Sequence, residues 1–190
     1  DAHSRFINLE LSALQADAKF IASTNRRIFV FGGSYNTGFT MPSDVRLFGQ
    51  EHSAPDSFDD TMGITVVTGL QTRPTFNIGN TVTVKGQLTL GTNAYVRGLH
   101  LAPTSGTALV GSSVSGVDVR SVHINAVGAS GMDMSGVAGL FDLDNVSASG
   151  LGTGIRLFNS SASVLVRDGD ITSTTDGVVI DGSTSSVQFF

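Results

Sequence analysis

Val117-Asp-Val-Arg-Ser-Val-His-Ile124 reads as two short bursts of alternation, Val117/Val119 and Val122/Ile124, divided by Arg120-Ser121. Alternation with a period of two is a strand signal, and here it recurs along the chain. Pairs matching the first burst stand at Ala94/Val96, Val117/Val119, Phe141/Leu143, Val164/Val166 and Val187/Phe189, at intervals of 23, 24, 23 and 23 residues. Five residues behind each of the four complete copies come Leu99/Leu101, Val122/Ile124, Val146/Ala148 and Gly169/Ile171. A third series, Leu109/Gly111, Met132/Met134, Ile155/Leu157 and Val178/Ile180, starts 23 residues apart each time. Three short strands per turn at a fixed long period, punctuated by glycine, predict an all-β fold, a right-handed parallel β-helix with about 23 residues per coil. Each strand then stacks on its own copy one coil away, and no coil buries its core alone.

Composition agrees with a solenoid. The 190 residues are 40% hydrophobic and include 23 Gly, enough for one substantial core and many tight turns. Only 14% are charged, so the surface is built largely from Ser, Thr, Asn and Gly, whose side chains satisfy backbone groups at turns. A net charge of −5 with 11 scattered Lys+Arg argues against nucleic acid as a partner. With no cysteine there is no disulfide, thiolate or Cys-based metal chemistry, and no cofactor is expected. No stretch approaches the ~18 apolar residues that cross a membrane. The sequence opens at Asp1 without a signal peptide and stops at Val187-Gln-Phe-Phe190, inside a coil and without a polar cap. This reads as an excised piece of a longer exported protein, truncated at its carboxyl end and open there to end-to-end self-association.

Two segments depart from the repeat. Residues 1–27 are read as a cap, because Leu11, Leu14, Ala18 and Ile21 follow helical spacing among good helix formers before Asn25-Arg26-Arg27 breaks the pattern. Residues 28–190 then form a single β-helix domain. Within it, 51–63, with Glu51, Asp56, Asp59 and Asp60, read as a polar loop off the solenoid. Strand pairs resume at Ile64/Val66, Phe76/Ile78, Val82/Val84 and Leu88/Leu90, giving six or seven coils and a rod roughly 30 Å long.

Ile28-Phe-Val-Phe-Gly-Gly-Ser-Tyr-Asn36, followed by Phe39-Thr-Met-Pro-Ser-Asp-Val-Arg-Leu-Phe-Gly-Gln50, resembles the opening coil of right-handed β-helices of the pectate-lyase-like superfamily. Arg73-Pro74, Gly86-Gln-Leu-Thr-Leu90 and Val96-Arg-Gly-Leu-His-Leu101 are similar to passenger repeats of bacterial autotransporter and inverse-autotransporter surface proteins. The resemblance implies a cell-surface, outer-membrane-anchored or secreted location. It leaves function open, since β-helices serve as lyases, hydrolases, tailspikes and inert stalks.

Candidate chemistry follows from stacking the repeats. The pair alignment puts Asp118 above Asp142 in an outward column with Arg120 two residues away, a weak candidate calcium or lyase site. The next coil offers Leu165 there, so two carboxylates converge where calcium takes six to eight oxygens. Arg120, Asp144 and Arg167 form a neighbouring column of alternating charge, read as a surface ion-pair ladder. His100 and His123 share a column continued by Ser147 and Asp170; as serine is a poor zinc ligand, they read as solvent-facing histidines. There is no Trp and only two Tyr, and Phe76, Phe141 and Phe189 fall in core phases, which leaves Tyr95 and Phe158 as the outward aromatics able to meet a partner. Surface contacts are therefore expected through Tyr95, Arg120, Asp144, Phe158 and Arg167.

The expected function is that of a non-enzymatic adhesin or rigid stalk from a bacterial surface, with a glycan or protein receptor as partner. The alternative is a polysaccharide lyase or hydrolase, or a carbohydrate-binding β-helix of the same superfamily.

Overall fold

The computed structural model describes residues 26–52, 57–63, 74–150, 152–173 and 175–190. In chain order its strands are β1 (Arg26–Val30), β2 (Gly33–Tyr35), β3 (Phe39–Thr40), β4 (Val45–Gly49), β5 (Val82–Val84), β6 (Leu88–Leu90), β7 (Tyr95–Leu101), β8 (Thr107–Ser112), β9 (Val117–Val127), β10 (Ser130–Ser135), β11 (Ala138–Gly150), β12 (Ile155–Phe158), β13 (Ser161–Val166), β14 (Ile171–Ser173), β15 (Val178–Asp181) and β16 (Ser186–Phe189). Every pairing among them is parallel. The chain is a parallel β-solenoid of about 6 turns.

Three faces wrap the core. The first runs β1-β4-β7-β9-β11-β13-β16, and the second runs β3-β6-β8-β10-β12-β15. The long strands β7, β9 and β11 turn a corner within themselves, so their second halves pair with β5 and β14 to make the third face. At that corner Gly98 (φ 63°) and Ser121 (φ 50°) take the left-handed backbone that a sharp bend requires.

Inward side chains stack in columns, as the alternation demands. On the first face the column is Ile28, Leu47, Val96, Val119, Phe141, Val164 and Val187. On the second it is Phe39, Leu88, Leu109, Met132, Ile155 and Val178. Most of these side chains are fully buried in one continuous core. The serine-rich corners do what the composition implied: Ser160, Ser183, Ser185 and Ser130 present hydroxyls that accept hydrogen bonds from the backbone N–H groups of Val137, Ser160, Ala162 and Thr153.

One register differs from the pair alignment. Val119 pairs with Phe141, and Val117 with Gly139, so the step from the second coil to the third is shorter by two residues than the apolar pairs suggest. A slip of two leaves every side chain on its own face, so alternation is blind to it. Gly139 fills the inward position because its backbone presses on Val117: a Cβ there would lie 2.5 Å from the Val117 carbonyl oxygen. Beyond it, register shifts between Asp142, Leu143 and Asn145 cancel each other, so the slip of two persists around the corner and Ile124, not Val122, pairs with Val146.

The segment read as a polar loop contains a helix, α1 (Phe58–Met62). Ser57 caps it, its Oγ accepting from Asp60 N, and Gly63 closes it in the left-handed conformation (φ 58°). Phe58 is buried against Phe29 and Phe76, with ring centroids 5.0 and 5.8 Å apart. Phe58 and Phe76 therefore pack over outward-facing Phe29 and Phe48, leaving Phe48 buried and Phe29 half-buried on what would otherwise be an exposed sheet. Phe76 accordingly serves this outer cluster, Ile78 lies exposed in a turn, and neither stands in a strand. Phe189 is also exposed, whereas Phe141 lies in the core as expected. The helix expected over residues 11–22 and the Ile64/Val66 pair lie outside the described residues.

Candidate functional site

The corrected register rearranges the charged columns. Asp118 stands opposite Tyr95 and Leu140, and Asp142 opposite Arg120 and Leu165; the two carboxylates are not stacked. Each is instead held by arginine. Asp118 accepts from Arg97 at 2.9 Å and from Arg120 at 2.9 and 3.2 Å. Asp142 accepts two bonds from Arg167, at 2.9 and 2.7 Å, in the forked geometry that suits guanidinium to carboxylate. Those bonds hold Arg167 above the ordinary arginine value, first through hydrogen bonding and then through the Asp142 charge. Asp144 lies 3.9 Å from Arg167, but Arg120 stands opposite Asp142 and pairs with Asp118, so Arg120, Asp144 and Arg167 do not form the single column expected.

Arg97 is buried at 4% exposure. It donates to the carbonyls of Val96 and Asp118 at 2.8 and 2.9 Å, and its guanidinium carbon sits 3.6 Å from the centroid of the Tyr95 ring. One face of Tyr95 is thereby occupied, with Phe48 packed at 5.5 Å. Phe158 is half-buried, with the Arg156 guanidinium carbon 5.6 Å from its ring centroid. Neither aromatic is a bare platform.

Around the corner, a second group of side chains comes together. His100 of β7 and His123 of β9 are register partners, and their rings stack with centroids 4.2 Å apart and 27° between planes. The next residue in this column is Asn145 rather than Ser147, again because of the two-residue shift. Glu51, which the sequence places only in a polar loop, brings its Oε1 to 3.0 Å from His100 Nε2. One ligand atom from each of Glu51, His100 and His123 lies within 4.8 Å of the others. Asp144 adds a second carboxylate 3.8 Å from His123 Nε2.

The loop that carries Glu51 is well fixed. Gln50 donates its backbone N–H to Val30 O at 2.8 Å, accepts from Asn77 N at 2.7 Å, and links Gly32 N and Thr75 O through its side-chain amide. Beneath it Gly98 leaves room, since a Cβ there would lie 2.4 Å from His52 N. His52 packs against Phe48 and Phe76, and burial, then the Arg97 charge, pulls it below the ordinary histidine value. His123 is lowered as well, first by burial and next by His100, against the upward pull of Asp144 and Glu51. Glu51 Oε2 is buried with no hydrogen-bond partner among the described residues.

Elsewhere an open polar groove follows the corner formed by Ser113, Ser115, Asn159, Ser160 and Thr184. Ser160 spends its hydroxyl on the Met134 and Phe158 carbonyls, which makes that corner a structural ladder. Comparison with known proteins finds no matching family model, no matching curated relative and no matching solved structure.

Proposed function

We propose that this solenoid is a non-enzymatic module of a bacterial cell-surface or secreted protein, acting as a rigid stalk or adhesive passenger that meets a glycan or protein receptor. The observation that supports this most is the engagement of Asp118 and Asp142 by arginine. A lyase or hydrolase of the pectate-lyase-like superfamily would want carboxylates converging on one sheet to hold calcium or exchange protons. Here Asp118 is shared by Arg97 and Arg120, and Asp142 is forked by Arg167, so both carboxylates neutralise cations of the same face. A low-charge surface on a stacked parallel array suits a spacer that holds its shape without a large globular core. The surface location rests on the likeness of Val96-Arg-Gly-Leu-His-Leu101 and its neighbours to passenger repeats.

The test pairs a glycan array with an activity screen on acidic polysaccharides, in the presence and absence of calcium. Binding without cleavage, and no rise in melting temperature with calcium, is the expected result. Release of unsaturated uronide absorbance that disappears in Arg120→Ala would establish the lyase instead. Labelling of intact producing cells checks the location.

A further inference from the structure

We propose that Glu51, His100 and His123 form a binding site for a zinc ion, assembled from a loop and two successive coils. Two imidazoles and a carboxylate are the donor types that zinc takes, and imidazole disfavours calcium and magnesium, which prefer oxygen. The donors lie within 4.8 Å of one another, and a tetrahedral ion bound at ~2.0 to 2.1 Å needs them ~3.3 Å apart. Side-chain rotation covers that difference. His100 and His123 sit on paired strands in fixed register, and Glu51 rides on a loop tied down on three sides by Gln50, so the frame is rigid before any ion arrives.

A second observation points the same way. Glu51 is 18% exposed, yet its Oε2 is buried with no partner among the described residues, an unsatisfied acceptor facing no donor. The contact with His100 uses only Oε1. An ion satisfies the carboxylate and both imidazoles together. Asp144 Oδ2, 3.8 Å from His123 Nε2, lies at the edge of this group, and water would fill the fourth position.

Zinc titrated calorimetrically into the full chain tests this, in a His3→Ala background that removes the amino-terminal imidazole from competition. His100→Asn and His123→Asn are suitable variants, since asparagine already occupies the next position of the column at Asn145; Glu51→Gln is the third, and far-UV circular dichroism checks that each folds. The expected result is one ion per chain with micromolar or tighter affinity, at least tenfold weaker in each of the three variants and unchanged in Asp133→Asn, an acid on the second face. Cobalt in place of zinc should show the intense visible absorption of a four-coordinate ion. Absence of saturable binding up to millimolar zinc, or less than tenfold weakening in any one of the three variants, overturns the proposal. The site is independent of the adhesin reading, and an inert stalk with zinc or an enzyme without it remain separable outcomes.

Discussion

Arg97 reaches across one coil to Asp118 and binds it twice, at the main-chain carbonyl (2.9 Å) and at the carboxylate (2.9 Å), while its guanidinium lies over Tyr95. The partners compensate a cation that the fold takes out of water, so the arginine and the carbonyls it binds depend on one another. Arg97→Ala should therefore lower stability by about 1 to 3 kcal/mol in denaturant melts, because the Val96 and Asp118 carbonyls lose their donor while the Asp118 carboxylate keeps Arg120. Arg97→Lys should recover little of it, because a point charge cannot reproduce the planar fork or the ring stacking. A loss below about 1 kcal/mol for Arg97→Ala would mean that the pair is as loosely held as a surface bridge.

Inward and outward phases should separate cleanly. Leu143→Ala and Ile155→Ala remove fully buried side chains and should cost about 2 to 5 kcal/mol. Asp133→Ala removes the exposed partner of Arg156, 3.2 Å away, and should stay within about 1 kcal/mol. Comparable midpoint shifts for the two classes would contradict the assigned faces.

Gly98→Ala probes the seat of Glu51. The substitution forces a left-handed residue (φ 63°) to carry a Cβ 2.4 Å from His52 N, at about 1 to 3 kcal/mol for the backbone alone. The 50–52 loop should lift away, and the His100 ring resonances should shift as Glu51 leaves. Unchanged His100 spectra would show that the loop is not seated on Gly98.

The lowered histidines set a pH dependence. Below the ordinary value of 6.5, an unfolded chain protonates its histidines while His52 and His123 resist in the folded state. The unfolded state then binds more protons, so stability rises with pH across this window and is lost as pH falls from 6.5 through the folded values. Melting temperatures should be flat above pH 7 and decline toward pH 5, and His123→Asn should decline less steeply. A melting temperature that rises on acidification would reverse the assignment for both residues.

Hydrogen exchange should be slowest between Val117 and Val166, where strands pair on both sides. Protection should fall through β15 and β16, whose Val178, Ile180 and Phe189 are 39%, 46% and 56% exposed. Protection at Ile180 equal to that at Met132 would point to a stabilising contact at that end.

The sequence by itself determined the coil. Strand phase is a local property, written in the alternation of Val117, Val119, Val122 and Ile124 and repeated at an interval near 23, so the parallel stack and its core were legible from residues alone. The helix α1 was not read, because the acidic residues of 51–63 mark a polar loop and the burial of Phe58 that fixes the turn is a tertiary contact. Register was not, because a shift of two residues preserves every inward and outward assignment, and Gly139 carries no side chain to mark the inward place it fills. From that one shift came the separation of Asp118 from Asp142 and the replacement of Ser147 by Asn145 beside His123. The meeting of Glu51 with His100 across 49 residues belongs wholly to tertiary structure: it depends on how the 50–52 loop is tied to Val30, Thr75 and Asn77 and seated above Gly98, and no spacing along the chain records that.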